Sequence, residues 1–177
     1  MLQKRAEANK AERLGEAVGL AESRLSGRDS ADFSNFVDVF YARVWPEDLL
    51  QFSAENLYGA ALAIWKFAAT RKPGRARVRA YNPHVEEHGW KSSHTIIEVI
   101  NDDMPFIVDS VLGCLDRMGL QVHLFIHPII AVRRNAAGKR TEFLTEPEGD
   151  GAVAESVLHI EIGELSDPDL LGEIERR

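Results

Sequence analysis

The apolar residues of this 177-residue chain first change period at Pro73–Gly74. Before that turn they recur every three to four residues, as on one face of a helix. After it come stretches that alternate, as on a pleated strand. A chain with both patterns buries both only by packing helices against a sheet. The helical part has three stretches. Residues 2–25 are rich in Ala, Glu, Lys and Arg but carry a weak apolar stripe, so this helix is either marginal or needs a partner surface. Phe33, Phe36, Val37, Phe40, Tyr41 and Val44 define a second helix, with Asp29 or Ser30 as N-cap and Pro46 as interruption. Ser53 caps a third, whose inner face carries Leu57, Ala61, Ile64, Trp65 and Ala68 and which Pro73–Gly74 ends.

Beyond the turn, Arg77–Tyr81 is a short strand and His94–Ile100 a longer one. A helix from about Met104 to Met118 follows, opened by Pro105 and stopped by Gly119, with Ile107, Val108, Val111, Leu112, Leu115 and Met118 as its buried stripe. Gln121–Arg134 is a long strand, broken or bulged at Pro128. Thr141–Leu144 returns beside it, Ser156–Ile162 is a clear alternating strand, and Ser166–Asp167–Pro168 starts a helix still running at Arg177. Strand, helix, strand, strand, helix is most of a ferredoxin-like split β-α-β unit. Its closing strand is either supplied beyond residue 177 or replaced by Arg77–Tyr81 at an edge. The expectation is an α/β (α+β) protein. Residues 1–74 form an N-terminal helical segment, and residues 75–177 an antiparallel ferredoxin-like sheet with helices on one face and a truncated last helix.

A net charge of −7 argues against nucleic acid as a partner, since phosphate binding needs clustered Lys and Arg. The one basic stretch, Arg71 to Arg79, reads as a solvated loop and strand edge. The single cysteine, Cys114, excludes an internal disulfide and reads as a buried structural thiol. The first 25 residues are charged throughout, and no apolar run approaches the roughly 18 residues of a membrane span. No membrane partner is expected, and the location is expected to be cytoplasmic.

Three clusters carry polar groups of possible chemistry. The first is the strand-to-helix loop Asn101, Asp102, Asp103, Met104, Pro105 and Phe106, where free N–H groups at a helix start could hold a carboxylate. The alternative is structural: Asp103 caps, Pro105 starts the helix and Phe106 packs. The second is the polar sheet face, with His123, His127, His159 and Glu161 as neighbours and Glu98 on the same face. Residues four apart on a strand are about 13 Å apart, so His123 and His127 share no metal without a bulge. A hydrogen-bonded His–Glu network beneath helices is the preferred reading, and no metal is expected. The third is Glu86–Glu87–His88–Gly89–Trp90, read as a structured connection with Trp90 anchored in the core and Gly89 making the turn. Asp109 and Ser110 lie off the buried stripe of their helix, and no histidine is placed to activate Ser110.

Many short segments, in order, resemble the N-terminal region of the large bacterial NAD-dependent glutamate dehydrogenases. They include Phe40–Tyr41, Pro46–Glu47–Asp48–Leu49, Leu57–Tyr58–Gly59–Ala60–Ala61, Tyr81–Asn82–Pro83, Glu86–Glu87–His88–Gly89–Trp90 and His94–Thr95. The most specific are Asn101–Asp102–Asp103–Met104–Pro105–Phe106 with Val108–Asp109–Ser110, then His123–Leu124 with Ile126–His127–Pro128, and His159–Ile160–Glu161–Ile162. The resemblance implies an ACT-like fold and a regulatory or assembly role. In the ACT pattern a glycine is expected where Phe106 stands. The resemblance also implies a parent enzyme that oxidises L-glutamate to 2-oxoglutarate and ammonia with NAD. Its implied partners are the catalytic remainder of the polypeptide, further copies in a homo-oligomer and an amino-acid effector. The residues themselves argue that this segment is non-catalytic and holds no cofactor. There is no G-x-G-x-x-G, and none of the six lysines lies in a glycine-rich setting. A stand-alone amino-acid-binding module and a purely structural oligomerisation scaffold are the rival readings.

Overall fold

In the computed structural model, residues 2–25, 27–146 and 149–177 are described. Four helices come first: α1 (Leu2–Arg24), α2 (Arg28–Tyr41), the single turn α3 (Pro46–Leu49) and α4 (Ala54–Phe67). Then follow β1 (Arg77–Tyr81), the one-turn α5 (Val85–His88), β2 (His94–Asp102), α6 (Ile107–Arg117), β3 (Val122–Ile126), β4 (Ile129–Arg134), β5 (Arg140–Leu144), β6 (Ala152–Gly163) and α7 (Pro168–Arg176). The six strands form one antiparallel sheet in the order β1-β2-β6-β4-β5, with β3 also paired to β6. Arg77–Tyr81 thus fills an edge.

The long central strand β6 organises the sheet. Its first half pairs with β4 and its second half with β3, so β3 and β4 are two halves of one strand broken at His127–Pro128. Proline has no N–H to give to a ladder, and the break falls where it stands. Alternation along β6 then serves two cores. Leu158, Ile160 and Ile162 pack with Leu115 of α6 and Ile174 of α7 on one face. Val157 joins Ile100, Ile126, Ile130, Val132 and Phe143 under the N-terminal helices on the other. Helices and sheet therefore share one continuous core across residue 74.

That second core is aromatic. Phe36 stacks on Phe40 at 5.3 Å and meets Trp65 at 5.0 Å and Phe143 at 6.1 Å. Gly59 of α4 is required by contact: a Cβ there would lie 2.3 Å from Cβ of Trp90. The absence of a side chain at Gly59 lets Trp90 approach the helix closely, and Trp90 is buried as expected.

Several local expectations need correction. The N-cap of α2 is Gly27, at φ 62°, rather than Asp29 or Ser30, and no side chain caps it. Ser53 does cap α4, accepting from the Asn56 N–H, but the helix ends at Phe67, well before Pro73–Gly74. Helix α6 starts at Ile107, so Pro105 precedes the helix instead of occupying its first turn. Only Leu115 of its stripe is fully buried, and Cys114 is partly exposed. The basic stretch is an exposed loop over residues 72–76 and an edge strand from Arg77, as expected, except at its first residue. Arg71 is 2% exposed, because its guanidinium pairs with the buried Glu155 and with Asp102.

Candidate functional site

Strand register builds a row of charge beneath the N-terminal helices. Arg79 of β1 lies opposite Glu98 of β2, Glu98 opposite His159 of β6, and His159 opposite Ile126 of β3. Residues directly opposite in a ladder share a face, so these side chains point the same way. The next row places Tyr81, Ile96, Glu161 and Leu124 side by side. Glu98, His159 and Glu161 are each less than 5% exposed.

The carboxylates differ in how they are satisfied. Glu98 accepts from Nε of Arg79 at 2.6 Å and from the Tyr81 hydroxyl at 3.1 Å. Glu161 is approached by Nδ1 of His94 at 3.2 Å and by Nε2 of His159 at 3.8 Å. Nδ1 of His159 stands 3.7 Å from Glu98 and has no hydrogen-bond partner. Burial pushes the imidazolium toward losing its proton, but the flanking Glu161 and Glu98 outweigh it and raise the His159 pKa to about 9. Burial, and then the Glu161 charge, hold the Tyr41 phenol protonated. Its hydroxyl donates to the Leu57 carbonyl at 2.9 Å, tying α2 to α4 above the site.

These groups border a cavity of about 560 Å³ between the sheet and α2, α3 and α4. His159 and Glu161 form its polar floor, with His94 beside them. Tyr41, Leu49, Leu57, Leu124 and Ile126 form apolar walls, and the loop Trp90–Ser93 closes one side. Nε1 of Trp90 is buried without a hydrogen-bond partner.

The expected polar face is only partly assembled. The structure brings His159, Glu161 and Glu98 together. A bulge between Val122 and Leu124 shifts the register of β3, so Leu124 and Ile126, not His123 and His127, lie across from Glu161 and His159. His123 is exposed, with its ring 4.8 Å from that of His94. His127 follows the end of β3, and its Nε2 is buried without a partner. Burial, partly opposed by Asp103, lowers the His127 pKa. Among the described residues no group of three or more His, Cys, Asp or Glu side chains could hold a metal ion.

In the loop Asn101–Phe106 neither aspartate caps the helix. Asp102 binds the Arg71 guanidinium at 2.5 Å, Asp103 accepts from the Ser156 hydroxyl at 2.9 Å, and the Asn101 amide reaches the Met104 sulfur at 3.3 Å. Phe106 does not pack. It is the N-cap of α6 in the left-handed conformation (φ 65°), and its ring is 76% exposed. A bulky residue in that region costs roughly 1–2 kcal/mol that glycine does not. With little burial to lose, Phe106→Gly is expected to raise stability by up to about 1 kcal/mol, read as an increased urea midpoint at unchanged m-value.

A second buried network escaped the sequence reading. Glu155 of β6, fully buried, accepts from Nε and Nη2 of Arg71 at 3.0 and 2.7 Å and from Nε and Nη2 of Arg134 at 2.7 Å each. Arg134 also donates to the carbonyls of Ala68 and Gly138. The network clamps the α4–β1 connection onto the sheet. Its one legible sign was Glu155, which interrupts an apolar strand. Arg79 had a similar sign, a charge beside an inward-facing glutamate.

An antiparallel ferredoxin-like sheet backed by α6 and α7 defines the class: an ACT-like α+β fold with an added helical layer. The model of the family described as "Glutamate dehydrogenase, ACT1 domain" matches residues 36–177, and the chain belongs to that family. It is 41% identical over 155 residues to the NAD-specific glutamate dehydrogenase of Halomonas elongata, covering 87% of this chain and 10% of that protein. It is 35% identical over 128 residues to the NAD-specific glutamate dehydrogenase of Pseudomonas aeruginosa, covering 72% of this chain and 8% of that protein. The chain thus spans about a tenth or less of the length of these relatives. No solved structure matches it.

Proposed function

We propose that this chain is the N-terminal regulatory and assembly region of a large NAD-dependent glutamate dehydrogenase and is itself non-catalytic. The family match over residues 36–177 carries the reading. The parent enzyme would oxidise L-glutamate to 2-oxoglutarate and ammonia, with NAD bound by the catalytic remainder of the polypeptide. Partners of this region are that remainder, other copies of the chain in a homo-oligomer, and an amino-acid effector. Control would act by linkage: whatever binds one arrangement of the domain more tightly biases the distant catalytic part. Nucleic acid and membrane are not among the partners. No described helix is long and apolar enough to cross a bilayer, and a cytoplasmic location is part of the reading.

Calorimetric titration of NAD into the 177-residue chain is expected to show no saturable heat. The full-length enzyme lacking these residues is expected to keep turnover while its assembly or its response to amino acids changes. NAD binding to the chain, or unaltered assembly and response after the deletion, would overturn the assignment.

A further inference from the structure

We propose that the cavity between the sheet and helices α2–α4 binds a small neutral carbonyl compound with an apolar body, its oxygen accepting hydrogen bonds from the Trp90 indole and the His159 imidazole. Such a ligand carries no ammonium and no carboxylate, so it is of another class than an amino acid. Only the consequence of its binding for a parent enzyme rests on the regulatory reading given above.

Two buried donors without acceptors carry the inference. Burying an N–H group unpaired is costly, and nearly all such groups in folded proteins find a partner. Nε1 of Trp90 and Nδ1 of His159 have none, in residues that are 4% and 1% exposed. An indole nitrogen can only donate. The flanking Glu161 and Glu98 hold His159 as an imidazolium, and both of its nitrogens then donate as well. Glu98 does not take the Nδ1 proton. Its Oε1 is 3.7 Å away and already accepts from the Tyr81 hydroxyl, while Nε of Arg79 holds its Oε2. The Trp90 and His159 rings are neighbours, with centroids 6.3 Å apart, and both residues line the one cavity. Two donors lacking acceptors on one cavity call for a ligand that accepts.

Charge and shape narrow the acceptor. An anion set against His159 would stand beside the buried carboxylates Glu98 and Glu161, and like charges so placed repel. A carboxylic acid or a phosphate is therefore disfavoured at this point. An ammonium brings only more donors. A hydroxyl accepts, but its own proton needs an acceptor, and the nearest, Glu161, is already faced by His94 and His159. A carbonyl oxygen has two lone pairs and no proton, which matches two N–H groups. The volume of about 560 Å³ lies within the range of small-molecule sites. Leu49, Leu57, Leu124 and Ile126 line it with apolar surface, which suits an alkyl or aryl body.

The test titrates acetophenone and isobutyl methyl ketone into the 177-residue chain. Ethylbenzene serves as the matched compound without the oxygen, and benzoate and benzylamine as the charged ones. The readout is the indole N–H signal of Trp90 in heteronuclear correlation spectra, assigned by its loss in Trp90→Phe, with the exposed Trp45 as internal control. Both ketones are expected to bind saturably and to move the Trp90 signal downfield while the Trp45 signal stays in place. Ethylbenzene is expected to bind about 10-fold more weakly than acetophenone, the usual effect of one or two hydrogen bonds. Trp90→Phe is expected to cut that preference by about 3- to 10-fold, whereas a change of cavity shape alone moves both compounds alike. Leu124→Phe keeps both donors and reduces the space. It is expected to weaken the ketones, which covers the case in which Trp90→Phe fails to fold. No saturable shift with either ketone, equal binding of ethylbenzene, benzoate or benzylamine, or ketone binding that leaves the Trp90 signal in place would overturn the proposal. Because the readout is binding to the chain alone, its failure is separate from that of the regulatory reading, which is read in the assembly and response of the parent enzyme.

Discussion

Glu155→Gln is expected to destabilise the chain by about 3–5 kcal/mol, the usual cost of breaking a buried ion pair by removing one partner. The carboxylate accepts four charge-assisted hydrogen bonds from two guanidiniums, Arg71 and Arg134, whose side chains are 1% and 4% exposed. An amide oxygen keeps some of this geometry but none of the charge, and two buried cations then face each other without an anion between them. Arg71 keeps Asp102 and Arg134 keeps its backbone acceptors, so the fold is weakened rather than abolished. Asp102→Asn is the control. That carboxylate is 46% exposed, so solvent screens it, and its loss should cost no more than about 1 kcal/mol. Urea unfolding of the two variants side by side checks the contrast. Equal, small losses would mean that Glu155 does not hold the α4–β1 connection to the sheet.

The second large effect is a loss of stability in mild base. His159 is faced by Glu161 on its own strand, by Glu98 of β2 with Arg79 and Tyr81 of β1 behind it, and by Phe40 from α2. Tyr41 of α2 borders the same cavity floor. Its folded-state pKa of about 9 exceeds the ordinary imidazole value of 6.5. Between those values the folded chain binds more protons than the unfolded chain, so the unfolding free energy falls as pH rises. The contribution is fully present below pH 6.5 and is lost as pH passes about 9. A shift of this size corresponds to about 3 kcal/mol. His159→Gln is expected to flatten the profile over that window. His127 works in the other direction: burial lowers its pKa, so its contribution is lost as pH falls below the ordinary imidazole range. The two histidines therefore act in different windows. Proton-detected titration of the imidazole signals assigns each window, and a His159 resonance titrating at or below pH 6.5 would contradict the ion-pair geometry.

Much of the architecture was legible residue by residue. The switch of period at Pro73–Gly74, the aromatic stripe from Phe33 to Phe40, the Ser53 cap and the break at Pro128 all depend on local chemistry. Alternation along Ser156–Ile162 likewise placed His159 and Glu161 on one face, and Glu98 followed from strand order. Local rules failed where a neighbour outside the segment decided. Asp102 and Asp103 look like helix caps until Arg71 and Ser156 compete for them. Phe106 looks like a packing residue until its backbone is forced left-handed at the N-cap of α6 and its ring is left in solvent.

The sequence by itself determined which residues are apolar and at what period, and hence that helices pack on an antiparallel sheet of ferredoxin-like order. Only the tertiary structure decided which polar groups meet. One bulge in β3 moved every side chain after it relative to β6, because pleat and register have a period of two. That step put Leu124 and Ile126, rather than two histidines, beside Glu161 and His159. It left His159 and Glu161 on the floor of an open cavity, an outcome set by long-range register that no window of local sequence contains.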